Sequence, residues 1–85
     1  MGDVAITLQV MPEGKETDLE TLREKVKSKI NPRSIEEEPV AFGLISLKVL
    51  KVIPEDAGGT DELEDSLENI EGVKTVKVVD QRKLL

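Results

Sequence analysis

Only one aromatic side chain, Phe42, is available to this chain, and tyrosine, tryptophan, histidine and cysteine are absent. That restricts the fold. The interior has to be assembled from valine, leucine and isoleucine, on elements whose apolar faces close over one another. With 85 residues there is room for one domain, expected to span 1–85. A chain this short buries only about 60% of its unfolded surface, so the aliphatic pattern must supply a core without waste.

That pattern can be followed along the chain. Val4, Ile6, Leu8 and Val10 alternate with Ala5, Thr7 and Gln9, the period-two signature of a strand with one buried face. Pro12 and Gly14 stop it. Thr17 and Glu20 have the spacing of a capping box, in which the Thr17 hydroxyl accepts from the Glu20 amide. Leu19, Leu22, Val26 and Ile30 then recur at helical spacing up to Asn31-Pro32. Acids precede bases along this helix, which suits its dipole.

Arg33 to Glu38 reads as a short edge strand, because Pro39 cannot donate to a central ladder. Ile45, Leu47 and Val49 alternate, and Leu50, Val52 and Ile53 lengthen the run into the best candidate for a central strand. Lys51 falls on the same face as Leu47 and Val49, so either a bulge shifts the register or the lysine snorkels out. Pro54 to Gly59 is a loop, with Gly58-Gly59 a turn signal. Thr60 or Asp61 caps a second helix bearing Leu63, Leu67 and Ile70, which Gly72 terminates. Val73 to Val79 forms the last strand, followed by a short tail, Asp80 to Leu85. The order β-α-β-β-α-β predicts an α+β, ferredoxin-like sandwich: a four-stranded antiparallel sheet with two helices on one face.

Composition excludes much chemistry. Without cysteine there is neither a disulfide framework nor a thiolate metal site, and without histidine the commonest metal ligand and general base is missing. No phosphate-binding glycine motif is present, so no catalytic, cofactor-binding or metal-ligating residue is assigned. The net charge is −6. An acidic surface disfavours free nucleic acid and anionic membranes while remaining compatible with a basic protein surface. No apolar run is long enough to cross a bilayer and nothing resembles a signal peptide, which leaves a cytoplasmic protein as the expectation.

Several clusters invite a functional reading. Consecutive carboxylates at Glu36, Glu37 and Glu38 point alternately on an extended chain, so a solvated, charge-protected edge accounts for them better than a cation site. The acidic face of the second helix reads first as a soluble surface. Phe42 admits two readings, a core anchor or the tip of a shaped loop. The aliphatic positions already supply both helix stripes, and Pro39 and Gly43 bracket the ring, which favours a rigid loop that fills a pocket on another protein. Arg82 and Lys83 are basic groups at the end of an acidic chain, suited to an anionic site.

The segments Glu38-Pro39-Val40-Ala41-Phe42-Gly43-Leu44, Gly58-Gly59-Thr60-Asp61 and Asp80-Gln81-Arg82-Lys83-Leu84, with Met1-Gly2-Asp3-Val4 and Met11-Pro12, together resemble archaeal elongation factor 1-beta. The resemblance covers essentially the whole chain. It implies a translation factor that exchanges GDP for GTP on elongation factor 1-alpha, acting by differential binding and not as an enzyme. In eukaryotic relatives the penultimate lysine reaches the GTPase's magnesium site and the aromatic before the glycine enters a pocket on the GTPase. By that resemblance Pro39, Phe42, Gly43, Arg82 and Lys83 are the expected partner-binding residues. Lys83 matches the lysine, Arg82 is the alternative bearer of its role, and the loop and the terminal bases are expected to act as neighbouring probes. The chain on its own is expected to be a monomer. The alternative is a regulatory module of the same fold that holds a small molecule in the Gly58-Gly59 loop at a dimer interface.

Overall fold

The computed structural model describes residues 2–56 and 59–84, apart from the side chain of Phe42; the Gly58 turn signal and Leu85 therefore lie outside the described residues. Strand β1 (Asp3–Pro12) leads through a short loop to helix α1 (Leu19–Ile30), then to β2 (Ser34–Pro39). A single 3-10 turn, Ala41–Gly43, connects to β3 (Ile45–Pro54), which is followed by α2 (Asp61–Glu68) and β4 (Val73–Leu84). The four strands form one antiparallel sheet in the order β2-β3-β1-β4, so the α+β, ferredoxin-like expectation holds.

The apolar alternation acts as read. Ile6, Leu8 and Val10 of β1 are fully buried, as are Leu47 and Val49 of β3. Leu22, Val26 and Ile30 of α1, with Leu67 of α2, join them in one cluster, which places both helices on the same face of the sheet. Each such aliphatic side chain contributes about 1.5–3 kcal/mol on full burial. Ile70 and Val73 extend the cluster under the turn that enters β4. Among the described residues no buried side-chain polar atom lacks a hydrogen-bond partner.

Lys51 resolves by snorkelling. The β1–β3 register runs without interruption through Ile6↔Lys51, so Lys51 does stand on the core face. Its ammonium escapes past the end of α1 and donates to the Asn31 carbonyl at 3.3 Å. Asn31 is the αL cap of that helix (φ 47°), where a cation complements the negative end of the dipole.

The structure departs from local expectation at four points, although Thr60 does hold the cap position of α2. The cap of α1 is Asp18: its carboxylate accepts from the Glu20 and Thr21 amides at 3.1 and 3.3 Å and from the Thr21 hydroxyl at 3.0 Å. The Thr17 hydroxyl faces the other way and accepts from the Gly14 amide at 3.2 Å, tying down the preceding loop. At α2, Thr60 occupies the cap position with helical backbone angles and makes no capping bond, its hydroxyl donating to the Glu64 carboxylate at 2.7 Å. That helix ends at Glu68, and Gly72 (φ 98°) serves the turn after it. Most consequential, Asp80 to Leu84 is not a tail. It is the second half of β4, paired with Asp3 to Thr7 of β1. A bulge separates the halves: Leu8 pairs with Val78 and Thr7 with Asp80, leaving Val79 as the extra residue.

Candidate partner-binding site

The expected site residues fall at two places. Pro39 ends the edge strand β2, paired with Ile45. The chain then turns tightly: the Val40 amide donates to the Leu44 carbonyl at 2.9 Å, and the Leu44 amide to the Ala41 carbonyl at 3.4 Å. Gly43 has φ +75°, a conformation a side chain at this position would strain, so the glycine is needed to close the turn. Phe42 occupies the middle of this hydrogen-bonded turn; whether its ring is buried or exposed lies outside the described residues. Lys15, on the β1–α1 loop, passes beside Gly43: a Cβ there would stand 3.2 Å from its Cε. Sequence pattern gave no hint of that neighbour, because the contact joins two loops.

Arg82 and Lys83 lie at the other end of the sheet. They pair with Ala5 and Val4, near where β3 finishes at Pro54, whereas the 39–43 turn precedes the start of β3. The length of β3, ten residues, separates the two regions, roughly 30 Å of extended chain. They also occupy opposite sides of the strand order. The loop and the terminal bases are therefore not neighbouring probes, because strand pairing carries the end of β4 away from the turn.

Nor are the two bases equivalent. Successive strand residues point to opposite faces. Lys83 shares the helix-bearing face with Val4 and Ile53, while Arg82 projects with Ala5 and Val52 onto the helix-free face. Their partners differ accordingly. Arg82 Nε is 3.0 Å from Asp80 Oδ2, and Lys83 Nζ is 2.8 Å from Glu55 Oε1. Lys83 borders a cavity of about 540 Å³ whose lining includes Val4, Ile6, Ile53, Thr60 and Gln81. Glu55 is a second residue the sequence did not single out, since it becomes part of this end only when β1, β3 and β4 are aligned.

The acidic edge behaves as a structural feature. Glu37 faces α1 with its carboxylate 3.7 Å from Arg23, and Glu38 pairs with Lys48 at 3.4 Å on the opposite face. Among the described residues no group of three or more acidic side chains is gathered to hold a metal ion, and no helix is long and apolar enough to cross a membrane.

The sequence profile of the EF-1 guanine nucleotide exchange domain matches residues 5–84. An elongation factor 1-beta of Methanothermobacter thermautotrophicus is 44% identical, with 100% of each chain covered. One of Methanosphaera stadtmanae is 46% identical, again with 100% of each covered. One of Methanoculleus marisnigri is 44% identical over 94% of this chain and 95% of its own. Among solved structures, the ACT domain from the GTP pyrophosphokinase of Chlorobium tepidum superposes with a TM-score of 0.65 at 24% identity, covering 94% of this chain and 90% of that one. At that identity the likeness concerns the fold.

Proposed function

The chain belongs to the elongation factor 1-beta family, and from that premise we propose that it accelerates the exchange of GDP for GTP on elongation factor 1-alpha. The observation that carries the reading is the match of the exchange domain to nearly every residue of the chain, from 5 to 84. A translation elongation role in nucleotide exchange follows from family membership. The identity of the GTPase, the contact residues and a single exchange domain spanning 1–85, monomeric and cytoplasmic, are the proposal.

Exchange needs no bond-making group on this chain. It requires tighter binding to the nucleotide-free GTPase than to its GDP complex, and by reciprocity the protein then weakens GDP by the same factor. A coupling of about 3 kcal/mol corresponds to roughly a hundredfold. The two regions divide the work. The 39–43 turn, locked by its own hydrogen bonds, presents Phe42 to a pocket on the GTPase. Lys83, exposed at the far end of the sheet, brings an ammonium to the GTPase's magnesium ion. Like charge opposes the ion there, and the ammonium competes for its oxygen ligands, so GDP loses the cation that holds its phosphates.

Release of fluorescent GDP from the cognate elongation factor 1-alpha tests this directly. Substoichiometric protein is expected to accelerate release and leave the GTPase reloaded with GTP. A release rate equal to the spontaneous one would sink the proposal.

A further inference from the structure

Lys83 does not hang free at the end of β4. Its ammonium sits 2.8 Å from Glu55 Oε1, although the lysine side chain is 65% exposed and the glutamate 39% exposed. Glu55 is the better fixed of the two. Its amide donates to the Gly2 carbonyl at 2.8 Å, and it directly follows Pro54, which is paired with Asp3 in the sheet. Gly2 is part of the arrangement, since a Cβ there would stand 3.1 Å from the Leu84 carbonyl and 3.5 Å from Glu55 Oε2. Three strand ends, those of β1, β3 and β4, thus converge around one carboxylate whose partner is the lysine.

We infer that Glu55 is a positioning residue for Lys83: it holds the ammonium in a defined place before the GTPase arrives. This rests on the exchange reading for its consequence. A lysine has a long, flexible stem, and fixing it during association is an entropic loss that prior ordering avoids. An exposed ion pair is weak enough to yield when a more anionic site is offered. One carboxylate oxygen also occupies only part of the three-donor capacity of the ammonium, leaving N–H groups for the oxygens around a magnesium ion. The pair therefore aims the lysine without trapping it.

The test is a double-mutant cycle on the intact protein, following GDP release from elongation factor 1-alpha at saturating exchange factor. Glu55→Gln keeps the side chain's size and removes its charge. It is expected to lower the maximal release rate by about threefold to tenfold while leaving the melting temperature unchanged. In the Lys83→Ala background the same substitution is expected to have no further effect. The inference is overturned if Glu55→Gln matches the wild type, if it releases GDP faster, or if its effect persists undiminished beside Lys83→Ala. Nuclear magnetic relaxation of the Lys83 side chain in the free protein supplies a readout that needs no GTPase. Glu55→Gln should increase its mobility, and an unchanged mobility would overturn the inference. If the wild type fails to release GDP at all, the exchange reading falls, and the relaxation measurement alone decides whether the pair orders the lysine.

Discussion

At the scale of single residues the structure separates two bases that the sequence presents as interchangeable. Arg82 and Lys83 are neighbours in the chain, yet the pleat sends them to opposite faces, one held by Asp80 and the other by Glu55. Under the proposed mechanism, only one of them can be the group that meets the magnesium ion if the domain approaches in a single orientation. Lys83→Ala is expected to reduce GDP release by at least about tenfold, in the range of removing a transition-state charge contact, with Arg82→Ala within about twofold of wild type. The measurement is stopped-flow release of labelled GDP; a larger loss for Arg82→Ala would transfer the role. The candidate bases themselves were legible in the sequence through the family resemblance. Their partners were not, because Asp80 shares a face with Arg82 only once the segment read as a tail is seen to be strand, while Glu55 is brought in by pairing through β1.

At the scale of elements, strong periodicity translated directly into structure and ambiguous signals did not. The stripe Leu22, Val26 and Ile30 is the buried face of α1 as its spacing requires. Its start was ambiguous because Thr17 and Asp18 are both capping residues, and only tertiary contact shows that Thr17 serves the loop. The Thr21 hydroxyl first, then the backbone amides of Thr21 and Glu20, hold the Asp18 carboxyl below its ordinary value of 3.8. A carboxyl depressed on folding adds stability that is fully present above its unfolded value and is lost as pH falls through the lower folded one. Asp18→Asn should therefore be less stable than wild type near neutral pH and converge with it in acid below 3.8, as urea unfolding at both conditions would show. A deficit independent of pH would mean the charge is not what the cap uses. The short α2 depends on a different term. Leu67 is its one fully buried side chain among the described residues, and Leu67→Ala is expected to lose about 2–5 kcal/mol in the same unfolding assay. The second half of β4 was hidden because the Val79 bulge breaks the alternation and the residues beyond it are polar, so local pattern resembled a tail.

At the scale of the whole molecule, the proposed function makes the sheet a spacer between two contacts that would act on different steps. Pairing of Asp3 to Val10 of β1 with Leu47 to Pro54 of β3 fixes the 39–43 turn and the end of β4 roughly 30 Å apart. This separation could not be read from local patterns, since register and strand order arise only when distant segments pair. It carries a kinetic consequence. If, as proposed, the ring enters a GTPase pocket well away from the site the lysine reaches, it would bind the GTPase to a similar extent in every nucleotide state, which affects affinity and leaves the release step alone. In the proposed mechanism the ammonium acts where the magnesium ion is lost, which would affect the release step. Phe42→Ala is therefore expected to raise the concentration of exchange factor giving half-maximal release by about thirtyfold, the effect of a hot-spot truncation, with little change in the maximal rate. Lys83→Ala should lower the maximal rate and leave the half-saturating concentration near that of wild type. Because the two sites are far apart on one paired sheet, the double variant should show the product of the two single effects. Titrating each variant against a fixed amount of GDP-loaded GTPase measures both parameters at once. A fall in the maximal rate for Phe42→Ala, at unchanged half-saturation, would show that the turn itself reaches the nucleotide and that the sheet is not separating binding from release.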